Sequence, residues 1–129
     1  MKVLNFEDSV YKANAIRKVL NQCGVAKIEL VLNVEDGLQM LKNAEDTGEP
    51  FDLIITDMHY PMKQGAVSDT EAGEKLVQLL QEQGKQTKVI VCSSRNMKLP
   101  GVYGCIWYSE ISDWEEELCD LVREMEENR

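Results

Sequence analysis

The sequence predicts an α/β fold, a doubly wound five-stranded parallel sheet with helices on both faces. Three observations carry this: short apolar runs rich in Val, Ile and Leu recur along the chain, stretches of helical period separate them, and the two kinds of segment alternate. The runs cover residues 3–6, 28–32, 53–56, 89–92 and 105–108. They are near-continuous rather than alternating, the pattern of strands covered on both faces.

Each helix has its own signals. The first places Val10, Ala13, Ile16, Val19 and Leu20 on one face, with Ser9 as its N-cap and Gly24 just past its end. The second carries Leu38 and Leu41 and stops before Gly48 and Pro50, and the third turns Leu76, Leu79 and Leu80 inward over residues 71–83. The last opens with Ser112, Asp113, Trp114 and Glu115, the spacing of a capping box, and continues through Leu118, Leu121, Val122 and Met125. Residues 94–103 join the fourth strand to the fifth, a link shorter than the dozen or so residues a parallel crossover needs. With Pro100 and Gly101 inside it, a turn or a single helical turn is expected there, not a full helix.

A chain of 129 residues fits one domain, residues 1–129, and 43% apolar residues suffice for its core. The net charge of −9 argues against direct binding to nucleic acid or to an anionic membrane surface. No apolar run approaches the ~18 residues of a membrane span, and the opening MKVLNFEDS lacks a signal peptide's apolar stretch, so a cytoplasmic protein is expected. Cys23, Cys92, Cys105 and Cys119 are scattered without a CxxC pair, which predicts buried, reduced thiols and neither a zinc site nor a disulfide framework.

In an open parallel sheet, ligands sit beyond the carboxyl ends of the strands, where the strand order reverses. Glu7 and Asp8 end the first strand, Asp57 the third, Ser93 and Ser94 the fourth, and Tyr108 and Ser109 the fifth. Carboxylates converging at one crevice repel one another and invite a cation, and an all-oxygen donor set suits Mg²⁺. Asp57 ends the most apolar strand and opens the segment Asp57-Met58-His59-Tyr60-Pro61-Met62-Lys63-Gln64-Gly65, whose Pro and Gly set a fixed turn.

With Asp57 followed by Pro61 and Gly65, an acidic pair after the first strand, Ser93 after the fourth, and Gly101-Val102-Tyr103-Gly104 before the fifth, the chain resembles the response-regulator receiver family of two-component systems. The resemblance covers essentially the whole chain and implies a flavodoxin-like sheet with strand order 2-1-3-4-5. It implies that Asp57 accepts a phosphoryl group from a histidine kinase or phosphotransfer protein and that Ser93 hydrogen-bonds that group. It also implies Mg²⁺ at Asp8, Asp57 and the His59 backbone carbonyl, with Glu7 acting through water. Such a domain is a phosphorylation switch acting on a downstream effector protein, not an enzyme beyond its own phosphotransfer and autodephosphorylation.

The pattern breaks at the fifth strand. Tyr108 stands where the family has a lysine that pairs with the phosphoryl group, and no lysine follows Lys98. Arg95 is one possible substitute, against the plainer reading of a solvated surface arginine. Cys105 stands where the family has a switching aromatic, and Trp107 is expected to fill core volume. Residues 66–72 form an acidic insertion expected to be a surface loop, and His59, the only histidine, is expected to be an exposed loop residue. These departures favour one competing reading, a pseudo-receiver that binds partners without phosphorylation. A haloacid dehalogenase-type hydrolase would want a second Asp where His59 stands, and is set aside.

Overall fold

A computed structural model describes residues 1–128. The elements run β1 (Lys2–Phe6), α1 (Val10–Gln22), β2 (Lys27–Val31), α2 (Val34–Asp46), β3 (Leu53–Thr56), β4 (Tyr60–Pro61), β5 (Ser68–Asp69), α3 (Ala72–Glu82), β6 (Lys88–Ser93), β7 (Gly104–Trp107) and α4 (Trp114–Glu127). The main sheet is parallel, with order β2-β1-β3-β6-β7, the predicted order once the small antiparallel pair β4-β5 is set aside. The two-residue strands β4 and β5 pair Tyr60 with Asp69 and Pro61 with Ser68.

Alternation along the central strands divides the core into two layers. Val3, Leu53, Ile55, Ile90, Cys92 and Ile106 pack with α1 and α4, while Leu4, Phe6, Ile54 and Val89 pack with α2 and α3. Continuous burial holds for β3 and nearly so for β1 and β6, whereas β2 is an edge strand that buries only Val31 fully. No helix intervenes between β6 and β7, as the short link predicts. Among the described residues no helix is long and apolar enough to cross a membrane.

Four expectations are corrected. Val10 is 63% exposed, and Lys12 is buried beside Ala13 in the first turn of α1, because α1 is rotated so that residues 12, 13, 16, 19 and 20 face inward. The capping box at α4 does not form: Asp113 is the N-cap, and the Ser112 hydroxyl donates instead to the carbonyls of Trp107 and Ser109 at 2.6 and 3.1 Å. The insertion is not a plain loop. It supplies β5 and is tied to its neighbours by Arg95 Nη2 donating to the Thr70 carbonyl at 3.0 Å and by the Lys75–Asp69 ion pair.

The fourth correction concerns the cysteines. Cys23, just past α1, and Cys119, within α4, form a disulfide, since the packing of these two helices brings their Cα atoms to 5.7 Å. Sequence spacing holds no trace of this contact, which joins residues 96 apart. Cys92 and Cys105 remain free. Burial pushes the Cys92 thiol up to about 12, which keeps it protonated and inert.

Candidate functional site: an acidic cluster with a buried lysine

The carboxyl ends of β1 and β3 meet at one edge of the sheet because the two strands pair directly, Phe6 opposite Thr56. Glu7, Asp8 and Asp57 follow those residues, and each offers a carboxylate oxygen, all lying within 4.8 Å of one another. Glu7 is buried, Asp57 partly so and Asp8 exposed, so the cluster opens to solvent on the Asp8 side. The acidic trio read from the sequence is thus brought together.

The fourth member was not legible from strand ends. Lys12 reaches in from the first turn of α1, its Nζ 2.8 Å from Glu7 Oε1 and 3.3 Å from Asp57 Oδ2. The ammonium donates to the Cys92 carbonyl at 2.6 Å and stands 5.3 Å from the centre of the Tyr108 ring. It therefore touches groups from the ends of β1, β3 and β6 and from the residue just past β7. A lysine in the first turn opposes the helix dipole, and lysine is rarely buried without a partner. Its position four residues before Ile16, on the inward face, was the available signal.

Local geometry holds this arrangement. The Ser9 hydroxyl accepts from the Lys12 backbone N–H at 3.3 Å, while Glu7 Oε2 accepts from the Ser9 N–H at 3.1 Å, which sets where α1 begins. Burial raises the Glu7 carboxyl above its usual value, with the Lys12 charge opposing. Burial also disfavours the charged form of Lys12, but Asp57 and Glu7 together outweigh it and raise the ammonium's pKa. The lysine is charged at neutral pH.

Asp57 is fixed at both ends. Its Oδ1 accepts from the Met58 N–H at 2.7 Å. Its carbonyl accepts from the Thr56 hydroxyl at 2.7 Å, and Thr56 Oγ1 lies 2.8 Å from the buried Tyr60 hydroxyl. Since the single Thr56 proton goes to the carbonyl, Tyr60 donates to Thr56. Helix α3 closes against this turn at Gly73, whose N–H donates to the Met58 carbonyl at 3.2 Å. A Cβ at Gly73 would overlap the Asp57 carbonyl and the Met58 side chain. Gly73→Ala is accordingly expected to push α3 outward and to cost about 1–3 kcal/mol, as overpacking does; an unchanged urea midpoint would contradict this contact.

The other predicted residues divide. Ser93 is buried at the end of β6, and its Oγ accepts from the Arg95 N–H at 3.1 Å, leaving its own proton free to be donated. Tyr108 is half-buried against Trp114, ring centres 4.9 Å apart, beneath the Lys12 ammonium. Arg95 points to the insertion, not to the carboxylates. Trp107 does not fill the core: it is half-exposed, and its Nε1–H donates to the Ser94 carbonyl at 3.0 Å. Cys105 Sγ accepts from the Leu99 N–H at 3.3 Å, and His59 is exposed beside the turn. Gly65 has φ of +81°, where glycine is favoured, and it closes the turn in which the Ala66 N–H meets the Lys63 carbonyl.

The cluster's chemistry suits a divalent cation. Three carboxylates and one ammonium leave two formal negative charges. Glu7 Oε1 is buried against the Lys12 ammonium at 2.8 Å, so Glu7 adds negative charge behind the more open carboxylates. Asp8 and Asp57 offer oxygens on the open side, which fits a hard ion that keeps part of its hydration shell.

No protein-family profile matches the sequence, and no curated protein matches it. Solved structures do. The receiver domain of the Francisella response regulator 1452 aligns with a TM-score of 0.72 over 99% of this chain and 98% of its own, at 17% identity. The chain has the receiver-domain fold. The phosphorylated cyanobacterial phytochrome response regulator RcpA has the same fold, with a TM-score of 0.68 over 98% of this chain and 91% of its own, at 18% identity. So does the N-terminal domain of a response regulator/sensory box/GGDEF protein from Carboxydothermus hydrogenoformans, with a TM-score of 0.68, 97% and 93% coverage and 21% identity. A receiver fold puts β1, β3 and β6 side by side at the middle of the sheet, which is why the acidic cluster forms at their shared edge.

Proposed function

We propose that the chain is a receiver domain of a two-component system, taking a phosphoryl group on Asp57 in a Mg²⁺-dependent reaction. The observation that carries this reading is the meeting of Glu7, Asp8 and Asp57 within 4.8 Å at the carboxyl edge of a receiver-type sheet. The donor is a phosphohistidine on a kinase or phosphotransfer protein. A carboxylate oxygen of Asp57 forms a bond to phosphorus as the P–N bond breaks, and the leaving imidazole keeps the bonding pair and takes up a proton. Met58 N–H and the Thr56 hydroxyl orient the aspartate by their bonds to Oδ1 and to the carbonyl. Ser93 has a free proton to donate to the transferred group.

Asp8, Asp57 and the His59 carbonyl would hold Mg²⁺, with Glu7 binding one of its waters. Bound there, the ion supplies positive charge against the phosphoryl oxygens. The output is a change in what the domain binds, on an effector surface that lacks a helix between β6 and β7. The acidic surface implied by a net charge of −9 is consistent with protein partners and not with nucleic acid.

Intact-mass measurement after treatment with phosphoramidate and Mg²⁺ tests the reading. One phosphoryl mass on the wild type, none without Mg²⁺ and none on Asp57→Asn is the expected result. Equal labelling of Asp57→Asn, or none of the wild type, would overturn it. One observation favours a second reading: Lys12 already pairs with Asp57, as it would in a phosphorylation-independent pseudo-receiver that neutralises its aspartate permanently. An unlabelled wild type is the outcome that reading expects.

A further inference from the structure

We infer that Lys12 takes over the work of the lysine missing after the fifth strand of the sheet, so that the cation pairing with a phosphoryl group on Asp57 is delivered by helix α1. This rests on the reading of Asp57 as phosphoacceptor. Three independent contacts place the ammonium. It is 3.3 Å from Asp57 Oδ2, within reach of a group attached to that carboxylate. It donates to the carbonyl of Cys92, the residue before Ser93, so it stands beside the hydroxyl that would share the same phosphoryl oxygens. It sits over the ring of Tyr108, the residue at the position where the family's lysine would begin. The strand end thus gives up its charge and instead offers an aromatic face to a charge from elsewhere.

The energetics favour this use. Asp57 helps hold the lysine charged despite its burial. Here the ammonium has two anionic partners, and Glu7 alone keeps it in place when Asp57 is modified. When Asp57 becomes a phosphoaspartate the local negative charge grows, and a charge-assisted hydrogen bond to the new oxygens replaces the contact to Oδ2. The other basic candidate near the edge, Arg95, is spent on the Thr70 carbonyl.

The test uses Mg²⁺ and beryllofluoride, a phosphoryl mimic, on the full chain, with binding followed by ¹⁹F NMR. Lys12→Met is expected to weaken beryllofluoride binding by about ten- to a hundredfold, the range of one charge-assisted hydrogen bond. Its affinity for Mn²⁺, as a paramagnetic stand-in for Mg²⁺, should be equal or higher, since a positive charge has left the cluster. A merely structural lysine would weaken both together. Adding Tyr108→Lys to Lys12→Met should restore much of the beryllofluoride affinity. In the wild-type complex, a ¹⁹F–¹H Overhauser effect should link fluoride to the Lys12 ammonium, and this measurement decides the matter should the variants not fold. Unchanged beryllofluoride binding by Lys12→Met, or no such effect in a wild-type complex that does form, overturns the inference. A wild type that binds no beryllofluoride overturns the phosphoacceptor reading and, with it, the premise on which this assignment stands.

Discussion

Replacing Lys12 by methionine is expected to cost about 3–5 kcal/mol of folding stability at pH 7, the penalty for leaving a buried charge without its partner. Glu7 is 1% exposed and has no other cation within reach among the described residues. The deficit should depend on pH, with a sign that follows from the two shifts. The Glu7 carboxyl is raised, so its protonated form favours the fold, and that contribution is lost as pH rises through its folded value. Lys12 is raised as well, so its contribution is complete at neutral pH and disappears only as pH rises beyond the ordinary lysine value of 10.5. Without Lys12, only the Ser9 N–H still opposes the effect of burial on Glu7, and its carboxyl moves higher still. The variant should then recover part of its loss between pH 7 and pH 5 by protonating Glu7. Urea midpoints for both proteins at the two pH values check this; a deficit that stays constant with pH would contradict the pairing.

Reduction of the Cys23–Cys119 bridge is the second large effect. The bond closes a loop between residues 96 apart, for which the chain-entropy account gives a ceiling near 4.7 kcal/mol for ~100 residues and measured bridges typically give 2–4. About 3 kcal/mol corresponds to roughly 10 °C in Tm for a domain of this size. Thermal melts of the wild type with a phosphine reductant and of Cys119→Ser should both show the loss relative to the untreated wild type, with reductant having no further effect on the variant. Thiol titration under denaturing conditions should find two free thiols in the oxidised chain, those of Cys92 and Cys105. Coincident melts, or four free thiols in untreated protein, would mean that the bridge does not form in solution.

Most of the fold was legible because it follows from short-range periodicity. Strands such as residues 53–56 are buried throughout, Ser9 caps α1 as read, and the link before β7 is too short for a helix. The acidic half of the site was legible for a related reason: in a parallel sheet the strand ends share an edge, so Glu7, Asp8 and Asp57 could be grouped without knowing any distance. What escaped depends on helix rotation and on packing between distant segments. Choosing Val10 over Lys12 as the inward residue of α1 is a hydrophobicity argument, and it fails where a buried charge has partners on other strands. Gly73 carries no pattern of its own, because its need for a bare Cα arises only from the Asp57 carbonyl across the gap. The α1–α4 contact that joins Cys23 to Cys119 is equally invisible along the chain.

The bridge also gives the molecule a topology. Residues 23–119 are closed into a covalent ring that holds β2, β3, β6 and β7, and the segment before it, with β1 and all of α1, lies outside that ring. This exocyclic arm nevertheless supplies the strand lying between β2 and β3. Glu7, Asp8 and Lys12 travel on the arm, while Asp57, Cys92 and Ser93 belong to the ring. Ring closure can constrain the hydrophobic layers but cannot by itself assemble the charged cluster, which exists only once the arm has been threaded into place between its two neighbours.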